Sequence, residues 1–178
     1  MIILLGTPGS GKTTQTRMLA DYLGCPWFSM GELIRRDITG QHRQDMLAGK
    51  IIDDKVTLDI VDKNLAKIDT SKECVFEGNP RSVPQARWWV QQEKAGRFKI
   101  KAVLHLVVDP SVAETRMLKR GRLDDHDENV IETRFKEYYR SIAPILEYLK
   151  EDGISIHEID ANSTVEEIAQ KIHESLGV

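Results

Sequence analysis

The chain opens "MIILLGTPGSGKTTQ", residues 1–15, and the reading of this stretch decides the fold. "IILLG" is short, apolar and rich in β-branched and branched side chains, as a fully buried strand is. Gly6-Thr7-Pro8-Gly9-Ser10-Gly11-Lys12-Thr13 then satisfies the pattern G-x-x-x-x-G-K-[ST]. Glycines let backbone N–H groups turn inward around an anion. A helix starting at this point aims the positive end of its dipole at the same place. Lys12 adds a mobile positive charge, and Thr13 or Thr14 offers a hydroxyl to a phosphate or to Mg²⁺. The alternative, a glycine-rich turn that merely opens a helix, leaves the lysine and hydroxyls without a purpose. The expected ligand is a Mg-nucleoside triphosphate.

Outward from this loop, short apolar runs alternate with helical periodicity. "PWFSM" (26–30), "ECVFEG" (73–78), "AVLHLVV" (102–108) and "ISIHEI" (154–159) read as four more strands. Ser29-x-x-Glu32, Ser82-x-x-Gln85, Ser111-x-x-Glu114 and Ser163-x-x-Glu166 follow them as candidate helix capping boxes. The expected fold is α/β: a doubly wound, five-stranded parallel sheet with helices on both faces, one domain over 1–178. Ligands then gather at the carboxyl ends of the strands. Two stretches read as irregular arms over the site, Gly40–Asp54 and Gly121–Asp127.

The bulk composition is ordinary. The chain has 178 residues, 40% hydrophobic and 30% charged, with a formal net charge of −3. No basic surplus points to a nucleic-acid backbone. Cys25 and Cys74 form no Cys-x-x-Cys pair, so no zinc site is expected; both read as buried thiols of a reducing, cytoplasmic compartment. No run approaches a membrane span. His105 reads as a satisfied interior residue, His126 as an exposed loop residue, and Trp88 and Trp89 as packing side chains rather than base-stacking ones.

A phosphate loop serves many activities, and the remaining residues must discriminate among them. No Asn-Lys-x-Asp guanine-reading loop is present. Arginines stand at telling places instead: Arg35 after the second strand, Arg81 after the third, Arg116 and Arg120 four apart after the fourth, and Arg122 and Arg134 on either side of "LDDHDEN". Phosphoryl transfer between nucleotides gathers many negative charges, and planar cationic donors from several directions answer that problem.

Four motifs in order carry a resemblance. "GTPGSGKTTQ", "FSMGELIRRD", "VFEGNPRSVPQA" and "TRMLKRGRLDDHDENVIETRFKEYYRSIAPILEYL" resemble those of the nucleoside monophosphate kinases, closest to short-lid adenylate kinases. The resemblance implies transfer of the γ-phosphoryl group of MgATP to a nucleoside monophosphate, with AMP favoured. It implies that Lys12, Arg81, Arg120, Arg122 and Arg134 surround the transferred group. Gly9, Ser10, Gly11, Lys12, Thr13, Thr14, Arg116 and Arg120 would bind ATP, with Arg116 over the donor base. Met30, Gly31, Arg35, Gly78, Arg81 and Gln85 would bind the acceptor, Gln85 on its base, with Gly49 to Ile52 lining the base pocket. Thr13, Glu32 and Glu77 would attend Mg²⁺, mostly through water. Asp124 and Asp125 would orient the lid arginines. The enzyme would act as a monomer, with a short acceptor arm over 36–54 and a minimal lid over 121–127.

The chain departs from the family pattern at Met30, Asn79 and Thr13, and in the longer carboxylates Glu32 and Glu77. Both arms are trimmed. These departures lead us to expect a broader or weaker acceptor choice than that of a standard adenylate kinase. Two other readings use the same residues: a kinase of a small non-nucleotide metabolite, and a low-turnover ATP-binding sensor or interaction protein.

Overall fold

A computed structural model describes residues 1–121 and 127–178. Its strands are β1 (Ile2–Gly6), β2 (Trp27–Ser29), β3 (Val75–Glu77), β4 (Ala102–Val107) and β5 (Ile156–Asp160). They form one sheet in the order β2-β3-β1-β4-β5, and every neighbouring pair is parallel. The helices are α1 (Lys12–Leu23), α2 (Met30–Asp37), α3 (Gly40–Leu47), α4 (Asp54–Leu65), α5 (Val83–Lys94), α6 (Pro110–Arg120), α7 (Glu128–Glu151) and α8 (Val165–Leu176). All five quoted runs contain a strand, and the sheet is the one their alternation with helices predicts.

The central strand shows why the sheet is covered on both faces. Ile3 and Leu5 join a core with Phe76, Trp89, Val103 and Ile145. Ile2 and Leu4 join a second core with Leu19, Leu104, Leu106 and Ile168. Successive side chains of a strand point to opposite faces, so β1 must be apolar at every position to bury both. Slipping the strand by one residue would exchange the two sets, which fixes its register. Cys74 lies in the interior, but Cys25 is only half-buried, which corrects the expectation of two buried thiols. Trp89 is a core residue, as expected, and Trp88 packs partly buried beside it.

Two capping expectations need correction. Ser29 and Ser82 do cap α2 and α5, accepting from the Glu32 and Gln85 amides at 3.4 and 3.2 Å. Ser111 does not cap α6: Asp109 holds that position and Pro110 opens the helix with its φ already set. Ser163 does not cap α8 either. Its hydroxyl accepts from Lys171 at 3.1 Å, and Thr164 makes the reciprocal box with Glu167 one residue later.

The stretch Gly40–Asp54 is also more ordered than expected. It contains α3, a helix with no buried residue, and ends where Asp53 caps α4 by accepting from the Lys55 and Val56 amides. Its sequence "GQHRQDML" has almost no apolar stripe, so periodicity could not find it. The expected lid over 121–127 lies outside the described residues except at its two ends, Gly121 and Asp127.

Candidate active site

The loop between β1 and α1 sits at the carboxyl edge of the sheet, in the middle of the strand order. Gly9 has φ +81°, and a side chain there would strike the Ala113 carbonyl of α6. The glycine therefore lets the loop lie flat on that helix. Lys12 Nζ donates to the Gly6 and Thr7 carbonyls, both at 2.7 Å, and to Ser10 Oγ at 3.4 Å. Burial pushes the Lys12 ammonium from its ordinary 10.5 down to about 7; Glu77 opposes this, while Arg81, Arg134 and Arg120 add to it. The loop thus holds a cation crowded by other cations, and an arriving polyanion relieves that crowding.

A cleft of about 790 Å³ opens over the loop. Gly9, Gly11, Lys12, Thr13 and Thr14 line its floor. Arg35 enters from α2, Arg81 and Gly78 from the turn after β3, Arg116 and Arg120 from α6, and Arg134 from α7. Gly31 and Ile52 complete the side away from α6. The structure thus brings most of the sequence-derived residues to one cavity. Arg81 is anchored from behind, its Nε donating to the Gly78 carbonyl at 2.8 Å. Arg116 donates to the carbonyls of Ala161 and Ser163 at 2.8 and 3.1 Å, tying α6 to the segment after β5.

Glu77 is 4% exposed at the end of β3, yet it borders the cleft. Thr13 Oγ1 donates to its carboxylate at 3.1 Å, and Ser29 Oγ donates to the same oxygen. A carboxylate and hydroxyls grouped in this way are hard oxygen donors suited to Mg²⁺. Among the described residues no group of three or more His, Cys, Asp or Glu could enclose a metal ion by itself.

The side chains of four expected site residues do not line the cleft. That of Ser10 is buried within the loop itself, its Oγ accepting from Lys12. Met30 is fully buried in the core cluster that includes Ile3, Leu5 and Phe76 and does not line the cleft, although its Cβ lies close behind Gly78. The Glu32 carboxylate turns to Arg17, at 2.9 Å, and does not line the cleft. Gln85 is fully buried outside the cleft lining, its amide committed to Asn79, Arg81 and Asp54. Arg122, Asp124, Asp125 and His126 lie outside the described residues.

The structure adds residues that the sequence reading missed. Tyr138, Ile142 and Ile145 of α7 form an apolar wall, joined by Ile34 and Met46. Their i, i+4, i+7 spacing was legible, although not which cavity they would face. Ser163, Thr164, Val165 and Ile168 line the cleft near Arg116. The His105 Nε2 pairs with Tyr138 Oη at 2.7 Å, and its Nδ1, too far for a hydrogen bond, faces the Glu158 carboxylate at 3.8 Å. Burial lowers the His105 pKa and raises that of Tyr138.

A phosphate-binding loop at the centre of a doubly wound sheet, faced by arginines from several elements, defines a P-loop phosphotransferase. A family model described as adenylate kinase matches residues 4–154. An adenylate kinase of Corynebacterium urealyticum is 35% identical over 175 residues, 95% of this chain and 94% of the relative. Those of Mycobacteroides abscessus and Mycobacterium tuberculosis are 34% and 35% identical over 182 residues, covering 99% of this chain and 98% of each relative. The chain belongs to the adenylate kinase family. It is a nucleoside monophosphate kinase that moves the γ-phosphoryl group of ATP to AMP, and the metabolite-kinase and sensor readings are not favoured. Among the described residues no helix is long and apolar enough to cross a membrane.

Proposed function

We propose that the cleft holds ATP over the 6–13 loop and AMP against α2 and the 78–81 turn, with the γ-phosphoryl group passing between them. The observation that carries this reading is the convergence of cations on one cavity: Lys12 from below, Arg35 and Arg81 from one side, Arg120 and Arg134 from the other. The loop amides and Lys12 take the donor phosphates. Arg116, beside Val165 and Ile168, covers the donor base. Arg35 and Arg81 clamp the acceptor phosphate, and its base lies toward Gly31, Ile52 and Met46. An acceptor phosphate oxygen bonds to the γ-phosphorus as the bond to the bridging oxygen breaks. The arginines stabilise the charge spread over the equatorial oxygens, so positioning and electrostatics supply the catalysis.

Mg²⁺ would sit by Thr13 and Glu77, held mostly through water, and would neutralise charge on the donor phosphates. Residues 36–54 act as the acceptor arm of a single kinase domain. The enzyme works as a cytoplasmic monomer; the two free thiols support the reducing compartment.

The test is a phosphoryl-transfer assay with MgATP and AMP, products separated by chromatography. ADP forms with the native enzyme. Arg81→Ala raises the KM for AMP by about tenfold or more, as loss of a charge-assisted contact does, and leaves the KM for ATP nearly unchanged. An equal loss for both nucleotides would place Arg81 elsewhere.

A further inference from the structure

The donor side of the cleft is assembled from two parts of the chain that lie far apart in sequence. One is the phosphate loop with the start of α1. The other is the segment from Ala161 to Val165, between β5 and the first turn of α8. Gln15 touches both. Its backbone N–H donates to the Gly11 carbonyl of the loop at 3.0 Å. Its side-chain Nε2 donates to the Val165 carbonyl at 2.8 Å. Gln15 borders the cleft but is only 2% exposed, and its Oε1 is buried with no hydrogen-bond partner among the described residues. Turned over, the carboxamide would set its oxygen against the Val165 carbonyl oxygen, so the contact with Val165 fixes its orientation.

This contact is not what docks α1 against α8. Leu19 and Ala20 pack with Ile168 and Ile172 in one buried cluster, and apolar burial holds the two helices together. The amide adds direction at one point, because a hydrogen bond sets a distance and an angle and apolar packing does not. The other end of the segment is tied to α6, where Arg116 donates to the Ala161 and Ser163 carbonyls. Val165 thus stands between a tie to α6 and a tie to the phosphate loop, and it borders the cleft together with Arg116 and Ile168.

We propose that Gln15 is a positioning residue for the donor nucleotide: its amide fixes the Val165 end of the base-side segment relative to the phosphate loop, so that base and triphosphate are gripped in one register. The proposal rests on the reading that ATP lies over the loop with its base by Arg116, Val165 and Ile168. A bare polyphosphate uses the loop alone. ATP uses the loop and the base side together, so ATP alone gains from the two being held ready at the right separation.

The experiment measures equilibrium binding of ATP, inosine triphosphate and inorganic tripolyphosphate, each with Mg²⁺, to the native enzyme, Gln15→Met, Gln15→Leu and Arg116→Ala, with the KM for AMP alongside. Gln15→Met keeps an unbranched side chain of similar length and removes the donor. It weakens ATP and inosine triphosphate by the same factor, about five- to tenfold, while tripolyphosphate binding and the KM for AMP stay within about twofold. Gln15→Leu shifts the ratio of ATP to tripolyphosphate binding in the same direction and serves if the methionine variant folds poorly. A general structural loss would weaken tripolyphosphate as much as ATP, and that outcome would overturn the proposal, as would unchanged ATP binding. A loss for ATP several times that for inosine triphosphate, which lacks the 6-amino group, would show that the Gln15 amide turns to read the base, and would overturn it as well. Arg116→Ala separates the proposal from the reading beneath it. If that variant weakens ATP more than tripolyphosphate, the base lies where we place it, and the ratio in Gln15→Met decides the role of Gln15. If it leaves the ratio unchanged, the base-side reading falls, and the proposal with it.

Discussion

Lys12 shows how much a single residue carries. Its ammonium is pushed down to about 7 by burial, and a triphosphate beside it favours the charged form again. ATP binding at pH 8 therefore takes up a proton, visible as a dependence of the calorimetric binding enthalpy on the ionisation enthalpy of the buffer. Lys12→Met abolishes the uptake and weakens ATP binding by about tenfold or more; unchanged uptake would assign the proton to another group. At this scale the sequence was informative about charge and less so about direction. Arg35, Arg81, Arg116, Arg120 and Arg134 were identified by their places after strands, and all border the cleft. Met30, Glu32 and Gln85 lie in equally suggestive motifs, but the core takes up Met30, Arg17 captures Glu32, and Asn79 and Asp54 hydrogen-bond Gln85. Those partners come from other elements, which no local pattern reveals.

Elements carry their own tests. Gly49 ends the turn after α3 with φ +77°, and a Cβ there would lie 2.9 Å from the Val130 carbonyl and 3.0 Å from Arg134 Cγ on α7. The acceptor arm thus rests directly on the helix that bears a transfer arginine. Gly49→Val strains the turn and pushes the arm off α7. We expect a loss of about 1–3 kcal/mol in denaturant unfolding, together with a higher KM for AMP; unchanged values for both would mean that the arm does not rest on α7 in solution. The start of α8 is a milder case. Thr164→Ala removes the acceptor for the Glu167 amide and half of the reciprocal box. It costs about 1 kcal/mol, a fall in Tm of about 2–4 °C for a chain of this length. Ser163→Ala, at the neighbouring position first expected to cap, leaves the box intact and lowers Tm less.

For the whole molecule, the ionisable groups set how stability changes with pH. Lys12 and the Met1 amine are held below their ordinary values, chiefly by burial. Between about pH 7 and 9 the unfolded chain binds more protons at these groups than the folded one, so stability rises with pH. Burial pushes Cys74 up to about 12, from 9.0, so above pH 9 the unfolded chain loses a proton there that the folded chain keeps; this offsets the continuing gain at Lys12 up to its ordinary 10.5, and stability falls only above that. Thermal melts of the nucleotide-free enzyme should climb from pH 7 to about 9, level off, and decline above about 10.5. Saturating ATP flattens the climb, and Lys12→Met removes most of it; a monotonic fall from pH 7 would contradict this account.

By itself the sequence determined the sheet, the phosphate loop and the supply of arginines. Each is local: continuous apolar runs fix strands buried on both faces, glycine spacing fixes the loop, and charge is a property of the residue. The tertiary structure decided which side chains face the cleft and which are taken up behind it. It placed α3, which has no apolar stripe to betray it, and it brought Asn79, Gln85, Trp89 and Asp54 into one buried chain. Hydrogen bonds in a buried site are settled by where distant backbones meet, and each donor must find its acceptor there because water is excluded.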